Sequence, residues 1–185
     1  ILTVGLIKKT VLADGFAPFI DYMAFHEVYS NFFISWLLGI CELVKMYFDF
    51  SGYCDIAIAS AFFFNIRLPW NFNSPFRVTG IIDYWKRWNM TLIRFLREYL
   101  YKPLIENKNS GLWINLNIIF MFILIGLWGG LNLVNLFYGL VNGVGVCINK
   151  LWEKWNIRLN NVVATLITFC TLVVSVQFLI PKKIS

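Results

Sequence analysis

Long apolar blocks separated by short polar stretches dominate the 185-residue chain. Between Lys108 and Lys150 lie 41 residues without an Asp, Glu, Lys or Arg, and between Arg158 and Lys182 lie 23 more. A helix of ~20 residues crosses a hydrocarbon core of ~30 Å. The first block therefore predicts two membrane crossings, or one crossing with a re-entrant segment, and the second block predicts one crossing.

The first third of the chain has a less continuous apolar pattern. Residues 1–25 are apolar but carry four charged side chains, which predicts a helix at the membrane interface with a break near Gly15 and Pro18. Residues 30–48 predict a further crossing. Residues 50–66 predict a shorter apolar segment that is broken at its Ser-Gly pair.

Residues 79–101 have the clearest helical periodicity. Apolar and aromatic side chains recur there at intervals of three and four residues: Trp85, Trp88, Leu92, Phe95 and Tyr99. Cations occupy other faces, so the pattern predicts one amphipathic helix. The surrounding residues 67–108 contain eight Lys or Arg against three acids, and the positive-inside tendency therefore predicts that this helix lies on the cytoplasmic face.

Composition supports a membrane protein and excludes several other classes. Hydrophobic residues make up 59% of the chain and charged residues 14%, whereas a soluble domain carries ~25% charged residues. The basic stretch lies between membrane segments, so its natural partners are membrane lipids with anionic head groups or an anionic acyl donor, and not nucleic acid. The four cysteines lack metal-binding spacing, and no metal site is predicted.

The ends of the chain indicate a piece of a longer protein. The sequence begins at Ile1 inside an apolar run and ends at Ser185, five residues after another run stops. We therefore expect residues 1–185 to form a single membrane-embedded region, an internal fragment of an all-α, polytopic membrane protein. The one histidine, His26, adjoins Glu27 at the end of an apolar segment, which indicates an interfacial residue.

Three polar groups in apolar surroundings need an explanation. Asp49, Ser51 and Asp55 either line a substrate pathway or cap helix ends at the interface, since a carboxylate at mid-membrane costs ~2.5–3.5 kcal/mol. Residues 84–92 alternate aromatic side chains with cations, which suits a headgroup belt or a phosphate-bearing donor. The long apolar block is rich in glycine in its middle and again at 139–145, which predicts close helix packing and local breaks. Its asparagines within 132–142 either join helices or line a polar cavity.

An ordered set of short motifs runs through most of the chain. They are Gly-Leu-Ile-Lys-Lys at 5–9, Val-Leu-Ala-Asp at 11–14, Asp-Phe-Ser-Gly-Tyr at 49–53, Asp-Ile-Ala at 55–57, Arg-Leu-Pro at 67–69, Asn-Phe-Asn at 71–73, Trp85 to Leu92, Arg-Glu-Tyr-Leu-Tyr at 97–101, Pro-Leu at 103–104, Gly-Leu-Trp-Gly at 126–129, and Tyr138 to Gly143. Together they resemble the membrane-bound O-acyltransferase (MBOAT) family, in its alginate O-acetyltransferase and D-alanyl transfer branch. The resemblance implies an MBOAT-like helical core in a multi-pass protein of the bacterial inner membrane.

The resemblance also implies substrates and a site. The acyl donor would be a cytoplasmic co-substrate, acetyl-CoA or an acyl carrier protein thioester, with no bound cofactor. The acceptor would be an extracytoplasmic polysaccharide or teichoic acid, or an accessory transferase. The candidate substrate-binding residues are Asp49, Ser51, Asp55, Arg87, Arg94, Arg97 and Trp128, with the arginines toward the donor.

The family's histidines are absent from this chain. The positions that hold histidine in the family are occupied here by Gly129, Asn89 and Asn142. Acyl transfer to a hydroxyl needs a base, worth ~10²–10⁴ in rate, and neither glycine nor asparagine can accept the proton. The sequence leaves two readings: an O-acyltransferase-like membrane protein, or a catalytically inactive relative or gene remnant that keeps only the scaffold.

Overall fold

The computed structural model describes residues 1–25, 31–106, 110–157 and 159–180. All regular secondary structure in these ranges is helical, which confirms the predicted all-α class. The chain divides into two compact units, residues 1–71 with 179–185 and residues 72–178. Within the described ranges one helix, Gly111–Trp128, is long and apolar enough to cross a membrane, and Asn161–Val176 is apolar but shorter.

The first unit begins with one continuous helical stretch. Helix α1 (Leu2–Leu6) passes into a π-helical segment, π1 (Ile7–Ala13), which continues as α2 (Asp14–Phe25). The predicted break near Gly15 and Pro18 is wrong, because Pro18 lies inside α2. A proline removes a backbone donor and crowds the turn before it. Local π geometry accommodates such a residue, and the wider turns of π1 end just before Asp14.

Helix α3 (Phe32–Phe63) is a single helix of 32 residues. The predicted break at the Ser-Gly pair is therefore wrong, because Gly52 makes a packing contact instead. A Cβ built on Gly52 would lie 2.8 Å from the carbonyl oxygen of Gly5, and one built on Gly5 would lie 2.9 Å from that of Gly52. Glycine at both positions allows the backbones of α1 and α3 to approach this closely.

A small apolar core holds α2 against α3. Ile20 of α2 is fully buried with Leu38 and Cys41 of α3, and Ile180 joins the same cluster. Each such side chain contributes roughly 1.5–3 kcal/mol when it is fully removed from water. These contacts fix α2 along the first part of α3.

Two long helices form the centre of the second unit. Helices α7 (Gly111–Trp128) and α8 (Leu133–Lys154) are joined by a short turn. This turn confirms the local break predicted in the glycine-rich middle of the long apolar block. A Cβ on Gly143 would lie 3.0 Å from a Cα atom of α7, and one on Gly139 would overlap the α7 backbone. Glycines four residues apart let the two helices pack closely, as predicted.

Residues 79–101 do not form the single amphipathic helix that their periodicity predicts. They divide into α4 (Ile81–Arg87), α5 (Met90–Leu96) and π2 (Arg97–Tyr101). The chain breaks after α4, where Trp88 is extended and Asn89 adopts left-handed angles, φ 44° and ψ 53°. Asparagine tolerates this conformation better than most residues do, so the chain turns there at little cost.

The predicted aromatic stripe is split by this turn. Trp85 and Trp88 are buried, whereas Phe95 is 56% and Tyr99 is 74% exposed. Neither α5, π2 nor the short helix α6 (Lys102–Ile105) has a buried residue. The aromatic residues of the first part therefore belong to the core of the second unit, and those of the second part lie on its surface.

Two side-chain hydrogen bonds fix the start of α4. The Oδ1 atom of Asn149 on α8 accepts from the backbone N–H of Ile82 at 3.2 Å. The hydroxyl of Thr165, on helix α9 (Asn161–Val176), donates to the carbonyl of Val78 at 3.0 Å. Asn149 thus satisfies one of the free N–H groups at the α4 N-terminus from a different helix.

We predict that Asn149→Ala lowers the free energy of unfolding by ~1 kcal/mol, because it leaves the Ile82 N–H without its partner. Thermal or denaturant unfolding in detergent measures the change. Asn161→Ala is the control, since Asn161 is exposed and its side chain makes no recorded hydrogen bond among the described residues. Equal stability of the two variants would contradict the capping role.

Candidate functional site

The two carboxylates proposed to line a pathway are paired with lysines in the first unit. Asp55 lies 2.7 Å from the ammonium of Lys8, and its side chain is 12% exposed. Asp49 pairs in the same way with Lys9, with both side chains about half exposed. Both aspartates lie within α3, so the alternative that they cap helix ends is wrong. Pairing with a lysine reduces the cost of placing each charge in apolar surroundings.

The ion pairs flank the point where α1 and α3 cross. Asp49 and Asp55 are each three residues from Gly52, and the lysines follow Gly5 within one turn. Ser51 lies beside this crossing, 2% exposed, and its hydroxyl has no hydrogen-bond partner among the described residues. The structure therefore brings Asp49, Ser51 and Asp55 together on α3, with the carboxylates already engaged.

The three candidate arginines lie on three consecutive elements of the second unit. The Nε atom of Arg87 donates to Asp83 at 3.1 Å on α4. Arg97 on π2 pairs with Glu98 at 3.4 Å, and a hydrogen bond from Lys102 lowers the pKa of that carboxyl. Arg94 on α5 is exposed and makes no recorded ion pair within the described part of the chain. Of the three candidate arginines, Arg94 is thus the most available to an anionic ligand.

Trp128 and Gly129 lie at the exposed end of α7. The Trp128 side chain is 77% exposed. A Cβ built on Gly129 would meet the carbonyl oxygen of Gly126 at 3.3 Å and the Nδ2 atom of Asn135 at 3.6 Å. A side chain at this position therefore requires the neighbouring backbone to shift by a few tenths of an ångström.

Asn142, in contrast to the exposed Trp128 and Gly129, lies in the interior of the second unit. It is fully buried on α8, and its Nδ2 donates to the carbonyl of Tyr138 at 2.9 Å. Nine residues separate it from Leu133 at the start of α8, a rise of roughly 13 Å. Because Gly129 precedes that start, Gly129 and Asn142 do not meet at one point. Asn89, at the turn between α4 and α5, is half-buried.

Sequence reasoning missed the polar atoms beside Asn142. The Oδ1 of Asn142, the phenol oxygen of Tyr84 and the indole nitrogen of Trp85 are buried, and none has a hydrogen-bond partner among the described residues. The periodicity identified Trp85 only as part of an apolar stripe. A tyrosine beside a tryptophan was the available signal, since both carry polar groups that require partners when buried.

A groove of about 900 Å³ lies in the second unit between α4, α8 and α9. Its walls are mainly apolar, from Ile81 on α4 to Ile167 on α9, with Lys86 and Glu153 among the few charged residues lining it. Its volume is typical of small-ligand pockets. None of the site residues proposed from the sequence lines it.

Two further expectations from the sequence concern a metal site and His26. No group of three His, Cys, Asp or Glu side chains that could hold a metal ion occurs in the described ranges. His26 falls outside those ranges, so its interfacial placement stays a prediction.

Comparison with known proteins agrees with the family resemblance seen in the sequence motifs. The family described as MBOAT, membrane-bound O-acyltransferase family, matches residues 1–179. The chain is 39% identical over 173 residues to the peptidoglycan O-acetyltransferase of Helicobacter pylori, covering 91% of this chain and 33% of that protein.

The names of other relatives indicate different acceptor polymers. The probable alginate O-acetylase AlgI of Azotobacter vinelandii is 34% identical over 147 residues, 79% of this chain and 29% of the relative. The teichoic acid D-alanyltransferase of Bacillus subtilis is 33% identical over 118 residues, 60% of this chain and 30% of the relative. The chain thus spans about a third of the length of these curated relatives.

We predict that Asp55→Asn destabilises the protein by ~2 kcal/mol, because the largely buried Lys8 loses its counter-charge. The same change at the half-exposed Asp49 should cost less than ~1 kcal/mol. Unfolding in detergent compares the two. Replacing both partners, as Lys8→Met with Asp55→Leu, should recover part of the loss. Equal losses at the two aspartates would show that burial does not set the strength of these pairs.

Proposed function

The chain belongs to the membrane-bound O-acyltransferase family, and on that basis we propose that it forms the helical core of a protein built for acyl transfer to a cell-surface polymer. The family match over residues 1–179 carries this proposal. The named relatives support it, because they O-acetylate peptidoglycan or alginate or D-alanylate teichoic acid. The proposed location is the bacterial inner membrane, with multiple crossings.

The reaction of such a protein defines what the site must provide. An acceptor hydroxyl attacks the carbonyl carbon of a thioester, an ester C–O bond forms, and the C–S bond breaks. A base takes the hydroxyl proton, which then neutralises the thiolate that leaves. The proposed donor, acetyl-CoA or an acyl carrier protein thioester, carries phosphate groups, and the exposed Arg94 is the candidate arginine free to contact them.

The structure favours a second candidate for this chain, a scaffold that no longer catalyses transfer. Gly129 has no side chain, and the side chains of Asn89 and Asn142 cannot serve as bases. The surviving carboxylates are poor substitutes, since Asp49 and Asp55 each pair with a lysine. Each of these carboxylates is thus already engaged in an ion pair that joins α3 to the N-terminal helical stretch.

We predict that a full-length relative carrying residues 1–179 of this chain has no detectable O-acyl transfer, and that adding Gly129→His with Asn89→His restores it by ~10²–10⁴-fold. Both changes require little of the backbone. A Cβ at Gly129 needs a shift of a few tenths of an ångström from the carbonyl of Gly126. Histidine, like asparagine, is enriched among residues with positive φ, as at position 89. Acyl transfer to the relative's own acceptor is the measurement.

The control for this graft is Gly129→Gln with Asn89→Gln, which adds similar bulk without a base. It should remain inactive if proton transfer is the missing step. An unmodified graft that transfers acyl groups as fast as the histidine variant would refute the argument. Asp49 would then be the next candidate base.

We also predict that a cysteine replacing Arg94 reacts with a membrane-impermeant thiol reagent only from the cytoplasmic side. The exposed surface of α5, π2 and α6 and the surrounding cations support this placement. The test uses a Cys170→Ser background, because Cys170 is exposed whereas the other three cysteines are buried. Labelling from the periplasmic side alone would reverse the proposed topology.

A further inference from the structure

Three buried polar atoms without partners lie in the second unit. Tyr84 and Asn142 are fully buried and Trp85 is 3% exposed. The Tyr84 phenol oxygen, the Trp85 indole nitrogen and the Asn142 Oδ1 make no hydrogen bond within the described residues. Nearly all buried polar groups in proteins have a partner, so three such atoms in one unit indicate a ligand.

Packing places the two α4 residues at the junction of α4 and α7. The Trp85 ring contacts Phe122 of α7 edge-on, with ring centroids 5.0 Å apart. The Tyr84 ring meets Trp85 at 5.4 Å in the same edge-on manner. Phe122 is therefore the α7 residue that marks this junction.

Asn142 of α8 reaches the same junction. Its neighbour Gly143 faces Phe122, since a Cβ on Gly143 would lie 3.1 Å from the Phe122 Cβ. Its amide nitrogen bonds the carbonyl of Tyr138, one turn earlier on α8. Phe122 of α7 thus contacts Trp85 of α4 and faces Gly143, the residue that follows Asn142 on α8.

The three atoms differ in hydrogen-bonding character. The Trp85 indole only donates. The Asn142 Oδ1 only accepts, and its orientation is fixed because a carbonyl, that of Tyr138, must face the amide NH₂. Burial, with a smaller effect of Tyr138, raises the pKa of Tyr84, so its phenol stays protonated and can both donate and accept.

We propose that Tyr84, Trp85 and Asn142 form a binding site for one neutral hydroxyl group. Such a group accepts hydrogen bonds from the Trp85 indole and the Tyr84 phenol, and it donates its own proton to the Asn142 Oδ1. A cation would be repelled by the indole N–H, and an anion would be repelled by the Asn142 oxygen. The hydroxyl comes from a bound water or, resting on the proposed function, from a primary alcohol of the acceptor. In either case Asn142 holds the group without removing its proton.

The first test asks whether Tyr84→Phe raises or lowers the Tm of the purified full chain in detergent. Tyr84→Phe removes one oxygen and keeps the ring. We expect the Tm to fall by roughly 2–4 °C, because a hydrogen bond to the bound hydroxyl is lost. Tyr99→Phe, the same change at an exposed tyrosine, should leave the Tm unchanged. An unchanged or higher Tm for Tyr84→Phe would overturn the proposal, since removing an unpartnered buried oxygen is neutral or favourable.

A double variant separates a shared ligand from two independent effects. If both side chains bind the same hydroxyl, either single substitution already weakens its binding. The double variant, Tyr84→Phe with Asn142→Leu, should therefore lower the Tm by less than the sum of the decreases in the two single variants. Additive losses would show that the two side chains do not share a ligand. This result does not depend on acyl transfer, so an inactive graft leaves it unaffected.

Methanol distinguishes the two sources of the hydroxyl. If an alcohol enters the site, the Tm difference between the wild type and Tyr84→Phe should widen as methanol is added. A constant difference supports the site with water as its ligand and contradicts an acceptor role. A difference that is absent at every methanol concentration overturns the site itself.

Discussion

Close approach of helix backbones at glycine determines where polar groups can meet in this chain. In the first unit Gly5 and Gly52 touch, and the lysine–aspartate pairs form on either side of that contact. In the second unit Gly139 and Gly143 bring α8 against α7. A side chain at any of these positions would separate the helices, and the polar atoms beside them would lose their neighbours. Because apolar surroundings make unpaired polar groups costly, the glycine contacts support both packing and chemistry.

The same constraint explains the character of the candidate site. The carboxylates of α3 pair with lysines of the N-terminal helical stretch and so join two helices. Asn89 permits a left-handed turn that ends α4 after its aromatic residues are buried, and Asn142 is locked to the carbonyl of Tyr138. Both asparagines therefore have a clear structural place in the fold. Their amides can orient a hydroxyl group, but they lack the basicity that a transfer reaction demands.

Errors of the sequence-based interpretation occur where glycine, proline and asparagine have more than one possible role. Gly52 was expected to break a helix, and it is instead a contact point inside α3. Pro18 lies within α2 because the π turns before it absorb its geometry. The regular spacing from Trp85 to Tyr99 predicts one helix, but the turn at Asn89 divides it. Periodicity reports which residues prefer apolar surroundings, and it does not report whether one straight element supplies them.

The sequence by itself determined the all-α class, the family, the division of the long apolar block and the absence of a histidine base at Gly129, Asn89 and Asn142. These follow from local composition, spacing and residue chemistry. Only the tertiary structure decided that Asp49 and Asp55 are paired with lysines more than 40 residues away in sequence. It alone showed that polar atoms of α4 and α8 are buried without a hydrogen-bond partner among the described residues. Such pairings depend on which helices touch, and contacts between distant segments are set by packing that no local pattern contains.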